Sequence, residues 1–176
     1  MFEITTAQGF FKKAVKDYQS FTKNEVNSCA AMNCILSLYH LHEWVWYGWL
    51  ESNVAAQEKF GIQGKKGSEG CKAFRQVINN KCPHFDLLRK LANGTKHCRR
   101  VNGDPETEKV AGFGRGPFGV GPFSKPYLIV YLEKDTEGKE PHVTVFDLLK
   151  QMVEFWKKFF SDNNIRDSEN DELNCD

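Results

Sequence analysis

Residues Cys29 to Leu50 read CAAMNCILSLYHLHEWVWYGWL, an apolar run close to the length, about 20 residues, that crosses a bilayer as a helix. Near its middle lie Asn33, Ser37, His40, His42 and Glu43. Several such groups in hydrocarbon are costly, because each leaves water without a replacement partner. A helix buried at the centre of a bundle accommodates the same residues at lower cost, so the stretch is read as the core helix of a soluble fold, from about 24 to 48. Its expected start is the capping box Thr22-Lys23-Asn24-Glu25.

The flanking sequence supports a helical surround. Thr5-Thr6-Ala7-Gln8 has the same hydroxyl-to-Gln spacing and opens a helix with Phe11, Ala14 or Val15, and Tyr18 on one face. Lys12, Lys13, Lys16 and Asp17 lie outside that face. Ser52 and Gly61 bracket a short helix, and a further one is expected over 68–80. Pro83 suits the first position of the next helix, where a missing N–H does no harm; that helix carries Phe85, Leu87, Leu88, Leu91 and Ala92. The last helix, about 146 to 160, repeats Leu148, Leu149, Met152, Trp156, Phe159 and Phe160 at three- and four-residue steps.

Between these helices the texture changes. Ala111 to Pro122 (AGFGRGPFGVGP) is too rich in Gly and Pro for helix or central strand. It fits neither phosphate-binding glycine fingerprint, and is read as a connector or as an RNA-contacting loop through Arg115, Phe113 and Phe118. The runs Tyr127 to Glu133 and His142 to Val145 are rich in β-formers, and Lys134 to Glu140 makes a polar turn between them. The expected architecture is therefore mainly α, a helical bundle carrying an inserted Gly-rich loop and a β-hairpin. It forms one domain over 1–161, with the hairpin near 127–145 and an acidic tail, expected to be disordered, over 162–176.

Composition narrows the function classes. Apolar residues make up 40%, with fourteen Phe and four Trp, enough for a substantial core. The net charge of +1 gives no overall pull on nucleic acid or membrane, so any attraction must come from local patches. The six cysteines form no C-x-x-C pair, and Met1 to Thr6 has no basic start followed by an apolar run. Both point to a reducing cytoplasm, with no membrane partner and no cofactor expected. His40-x-His42-Glu43 is a weak metal signal, because residues two apart on a helix face nearly opposite ways.

Two polar groupings remain. Asn33, Ser37 and His40 stack along one face of the long helix. They either line a cleft where His40 handles a proton, or hydrogen-bond neighbouring helices and fix their register. On the helix after Pro83, Asp86, Lys90, Asn93 and His97 share a face if the helix continues past Gly94. Arg89 flanks them, and Lys96, Arg99 and Arg100 add charge. A His beside cations and an amide suits RNA cleavage, moving protons while cations steady the phosphate. The alternatives are a left-handed cap at Asn93-Gly94, which leaves His97 in a loop, or a structural His97 bonded to backbone.

The segments NCILSLYHLHEWVW (33–46) and FDLLRKLANGTKHC (85–98) together resemble a group of uncharacterised bacterial and phage-borne proteins with H-x-x-(D/E)-W and A-N-G-x-K-H motifs. More distantly, the arrangement resembles the HEPN superfamily of helical bundles found in toxin–antitoxin, CRISPR-associated and other phage-defence systems. That resemblance implies a metal-independent endoribonuclease, usually a dimer, with four to six residues intervening between a catalytic Arg and a catalytic His. His97 would be that His, and Asn93 the polar residue between. The chain departs from the pattern at the Arg, since Lys90, Leu91 and Ala92 occupy the three expected places and Arg89 lies one place too far. With the residues read above, the expected sites are catalytic His97, Asn93, Lys90 and His40, with Arg89, Lys96, Arg99, Arg100 and Arg115 binding substrate. The implied partners are RNA and a second copy or another protein. The rival class is a non-catalytic protein- or RNA-binding adaptor.

Overall fold

The computed structural model describes residues 3–94, 105–110, 125–132 and 141–166. The chain is mainly helical, with a small antiparallel sheet. Helix α1 (Ala7–Thr22) is capped by Thr6, whose Oγ1 accepts from the Gly9 N–H at 2.9 Å, one residue later than the sequence pattern suggested. Phe11 and Ala14 face inward as expected.

The central helix α2 (Ser28–Val45) starts later than expected. Thr22 remains in α1, and Asn27 caps α2 by accepting from the Ala30 N–H. An Asn cap satisfies an orphan donor as well as the Thr22 box would. At its far end α2 widens into one π turn, Trp46–Leu50, closed by the Glu51 N–H donating to the Trp46 carbonyl at 2.9 Å. The wide turn sinks both Trp46 and Leu50 into the core.

The remaining helices are α3 (Val54–Lys59), α4 (Gly67–Lys81), α5 (His84–Gly94) and α6 (Val145–Asp162). α1 lies along α2, while α5 and α6 close its other sides and α4 packs against the π turn. The six apolar residues expected on α6 are all buried. α4 approaches so closely that a Cβ at Gly70 would lie 2.0 Å from Trp46 Cζ2.

The expected hairpin is present as β2 (Tyr127–Tyr131) and β3 (His142–Thr144), paired antiparallel with Ile129 opposite Thr144. A further strand, β1 (Thr107–Val110), not expected from the sequence, pairs with β2 on the other side, Thr107 opposite Val130. Three of its four residues are exposed, so its sequence carries no apolar alternation to announce it. Pairing with β2 makes it a strand. β2 is buried on both faces, with Leu128 and Val130 in the main core and Tyr127 and Ile129 in a small cluster with Val110. The Gly-rich loop at 111–122 lies outside the described residues, as do residues 167–176 of the tail expected over 162–176; within that span Ile165 is buried and donates its N–H to the Phe160 carbonyl at 3.1 Å.

Candidate functional site

Helix α5 owes its orientation to Phe85, Leu88, Leu91 and Ala92, which are buried at helical spacing. Asp86 sits in its first turn, where a carboxylate complements the positive helix end. The opposite face carries Asp86, Arg89, Lys90 and Asn93, all half-buried. Arg89 Nε donates to Asp86 Oδ1 at 2.8 Å, and Lys90 Nζ stands 4.0 Å from Asp86 Oδ2. One carboxylate thus restrains both cations. Pairs this exposed stabilise the helix only slightly, by less than about 1 kcal/mol.

Neither Asn93 nor Gly94 adopts a left-handed conformation, and the described helix runs through Gly94. The cap expected as one alternative at Asn93-Gly94 is therefore not formed. His97, Lys96, Arg99, Arg100 and Arg115 lie outside the described residues.

A groove of about 250 Å³ opens where the start of α2, the end of α5 and the sheet meet. Met32 and Ile35 form one wall, Leu91 and Leu128 another, and Lys90 lines it beside them. Gly94 and Pro105, the described residues on either side of 95–104, both border this groove. These walls are not legible in the sequence, because they come from α2, α5 and β2 and meet only after folding.

The stripe on α2 divides. Asn33 is exposed. Ser37 is 3% exposed, donates to Asp17 Oδ2 at 2.5 Å and accepts from Lys13 Nζ at 2.7 Å. Those contacts tie α2 to α1, the register-fixing role of the two that the sequence left open. Lys13 and Asp17, read as lying outside the packed face, are drawn into the helix interface by that hydroxyl. His40 is half-buried, with Nδ1 3.4 Å from Glu43 Oε2. It stands five residues beyond Ile35, about 7.5 Å further along the helix, and does not line the groove.

His42 faces the other way, as a spacing of two requires. It is 2% exposed, its Nδ1–H donates to the Tyr39 carbonyl at 2.6 Å, and its ring meets the Phe85 ring edge-on. Burial pushes its pKa down from the ordinary imidazole value. Among the described residues no three His, Cys, Asp or Glu side chains gather closely enough to hold a metal ion, and no helix is long and apolar enough to cross a membrane.

No family model, curated protein or solved structure matches the chain.

Proposed function

We propose that this chain acts on RNA in defence or phage–host conflict, as a HEPN-like metal-independent endoribonuclease working from the end of α5. The observation that carries the reading is the placement of Lys90 in a groove bordered by both attachment points, Gly94 and Pro105, of the segment holding Lys96, His97, Arg99 and Arg100. In this reading His97 moves the proton at the 2′-hydroxyl or the leaving oxygen, while Asn93 and Lys96 position the phosphate. Lys90 stands in for the Arg of active HEPN members. It offers a point charge rather than a planar fork, so it steadies phosphate less specifically.

A second reading, a non-catalytic adaptor that binds protein or RNA, is favoured by the groove walls. Ala31, Met32, Ile35, Leu91, Leu128 and Val145 make them largely apolar, and Met32 is 39% exposed.

The test is incubation of the full chain with labelled RNA in the presence of a chelator, beside His97→Ala and Lys90→Ala. The nuclease reading expects cleavage that His97→Ala abolishes and Lys90→Ala reduces, at unchanged thermal stability. Cleavage retained by His97→Ala overturns it. RNA bound but left intact supports the adaptor reading, and no binding at all removes RNA from either.

A further inference from the structure

At the far end of the bundle, Lys59, Lys81 and Lys158 come from three different helices, α3, α4 and α6, to line one cavity of about 390 Å³. All three are exposed. Its floor is aromatic: Phe159 stacks on Phe60 at 5.7 Å, and Phe155 lies beside Phe159 at 6.2 Å. Lys81 Nζ stands 4.9 Å from the Phe60 ring centre and Lys59 Nζ 5.8 Å from it. Lys59 also donates to Asn163 Oδ1 at 2.8 Å. Among the described residues Asp162 is the one carboxylate on the lining.

Lys59 and Lys81 close their helices, where a cation offsets the negative carbonyl end. Lys158 lies a turn inside α6 and answers no such need. Like charges converge here against their mutual repulsion, and the rings beneath leave the rim positive above an apolar bed. An anion with a flat apolar body relieves the repulsion and covers the rings, and the volume is within the range of small-molecule sites. Phosphate with an attached base has that chemistry, since cationic rims track phosphate and aromatic rings take bases.

We infer that this cavity binds a nucleoside phosphate unit, either free or as the phosphorylated end of an RNA strand, with phosphate among the three ammoniums and base against Phe155, which is half-buried where Phe60 and Phe159 are buried. The site is separate from the α5 groove. Val145 borders the groove and Lys158 the cavity; the thirteen residue steps from one to the other along α6 span about 20 Å.

Calorimetric titration of the full chain with inorganic phosphate, AMP and a 5′-phosphorylated RNA hexamer tests this directly. Saturable AMP binding is expected, weakened at least about tenfold by Lys81→Glu with Lys158→Glu, unchanged by Lys72→Glu, and weakened by added salt. Phe155→Ala should weaken AMP more than phosphate. RNA bound more tightly than AMP, with that affinity lost in the lysine variants, marks a strand end as the source; AMP equal or tighter marks the free nucleotide. No saturable binding of any probe overturns the site, as does an unchanged affinity in the lysine variants. Phosphate bound as tightly as AMP overturns the nucleotide assignment. Should the double variant fail to fold, Lys158→Gln alone carries the comparison. None of these outcomes involves His97 or Lys90, so the site stands or falls apart from the nuclease reading.

Discussion

The indole N–H of Trp156 on α6 donates to the backbone carbonyl of Leu38 on α2 at 3.0 Å, and both residues are fully buried. This bond joins the last helix to the middle of the central one, across 118 residues of chain. Trp156 also meets Phe85 and Phe159 edge-on, so one side chain couples α2, α5 and α6.

Trp156→Phe keeps most of the apolar contact and removes the donor. The expected loss is about 2 kcal/mol, the usual range for a buried hydrogen bond with some lost packing. For a chain of this size that lowers the melting temperature by roughly 4–8 °C. Thermal unfolding followed by circular dichroism checks it, and an unchanged midpoint would refute the coupling.

Two helical glycines should respond in opposite directions to alanine. At Gly70 the new Cβ meets the Trp46 ring at 2.0 Å, so α4 must move off the π turn. The expected cost is about 1–3 kcal/mol even after the gain in helix propensity. Among the described residues nothing lies within 4 Å of a Cβ added at Gly94, and Gly94→Ala is expected to be neutral or stabilising by up to about 1 kcal/mol. Urea unfolding of the two variants side by side decides both.

His42 should make the fold sensitive to acid. Burial lowers its folded pKa, against a value of about 6.5 in the unfolded chain. The stabilisation is fully present above about pH 6.5. It is lost as pH falls from there toward the folded pKa, because the unfolded state gains a proton that the buried ring resists. Stability measured at pH 7.5 and pH 5 should fall in the parent and fall less in His42→Gln; equal slopes would assign the effect to other groups.

Thiol chemistry should rank the described cysteines. Cys29 is exposed, while Cys34, Cys71 and Cys82 are buried. Burial, assisted by Asp17, pushes the Cys34 thiol up to about 12, and burial takes Cys71 up to about 11. A thiol three units above the ordinary value holds roughly a thousandfold less of the reactive thiolate. Alkylation of the native chain at pH 8, mapped by peptide mass, should modify Cys29 well before the other three. Stability should also decline as pH rises from about 9 toward 12, where an unfolded Cys34 loses its proton and the folded one keeps it.

Helical periodicity was legible because burial on one side of a helix imprints a three-and-four spacing. The α6 set from Leu148 to Phe160 came through intact for that reason. Boundaries were less legible: Thr22-Glu25 and Asn27 both satisfy the rules for a cap, and the choice between them depends on where α1 must end to lie along α2. The opposite destinations of His40 and His42 followed from their spacing alone. That His42 packs on Phe85 did not, since the two meet only when α5 docks.

The sequence by itself determined a mainly helical chain, the central position of residues 29–50 and the pairing of a late β-hairpin, because local spacing, capping residues and β-formers act within a few residues of one another. Only the tertiary structure decided that β1 exists, that Ser37 bridges to Asp17 and Lys13, and that Lys90 shares a groove with Met32 and Leu128. It also decided that Lys59, Lys81 and Lys158 surround one aromatic floor. Each of these joins residues remote in the chain, and its free energy depends on a neighbour that local sequence does not specify.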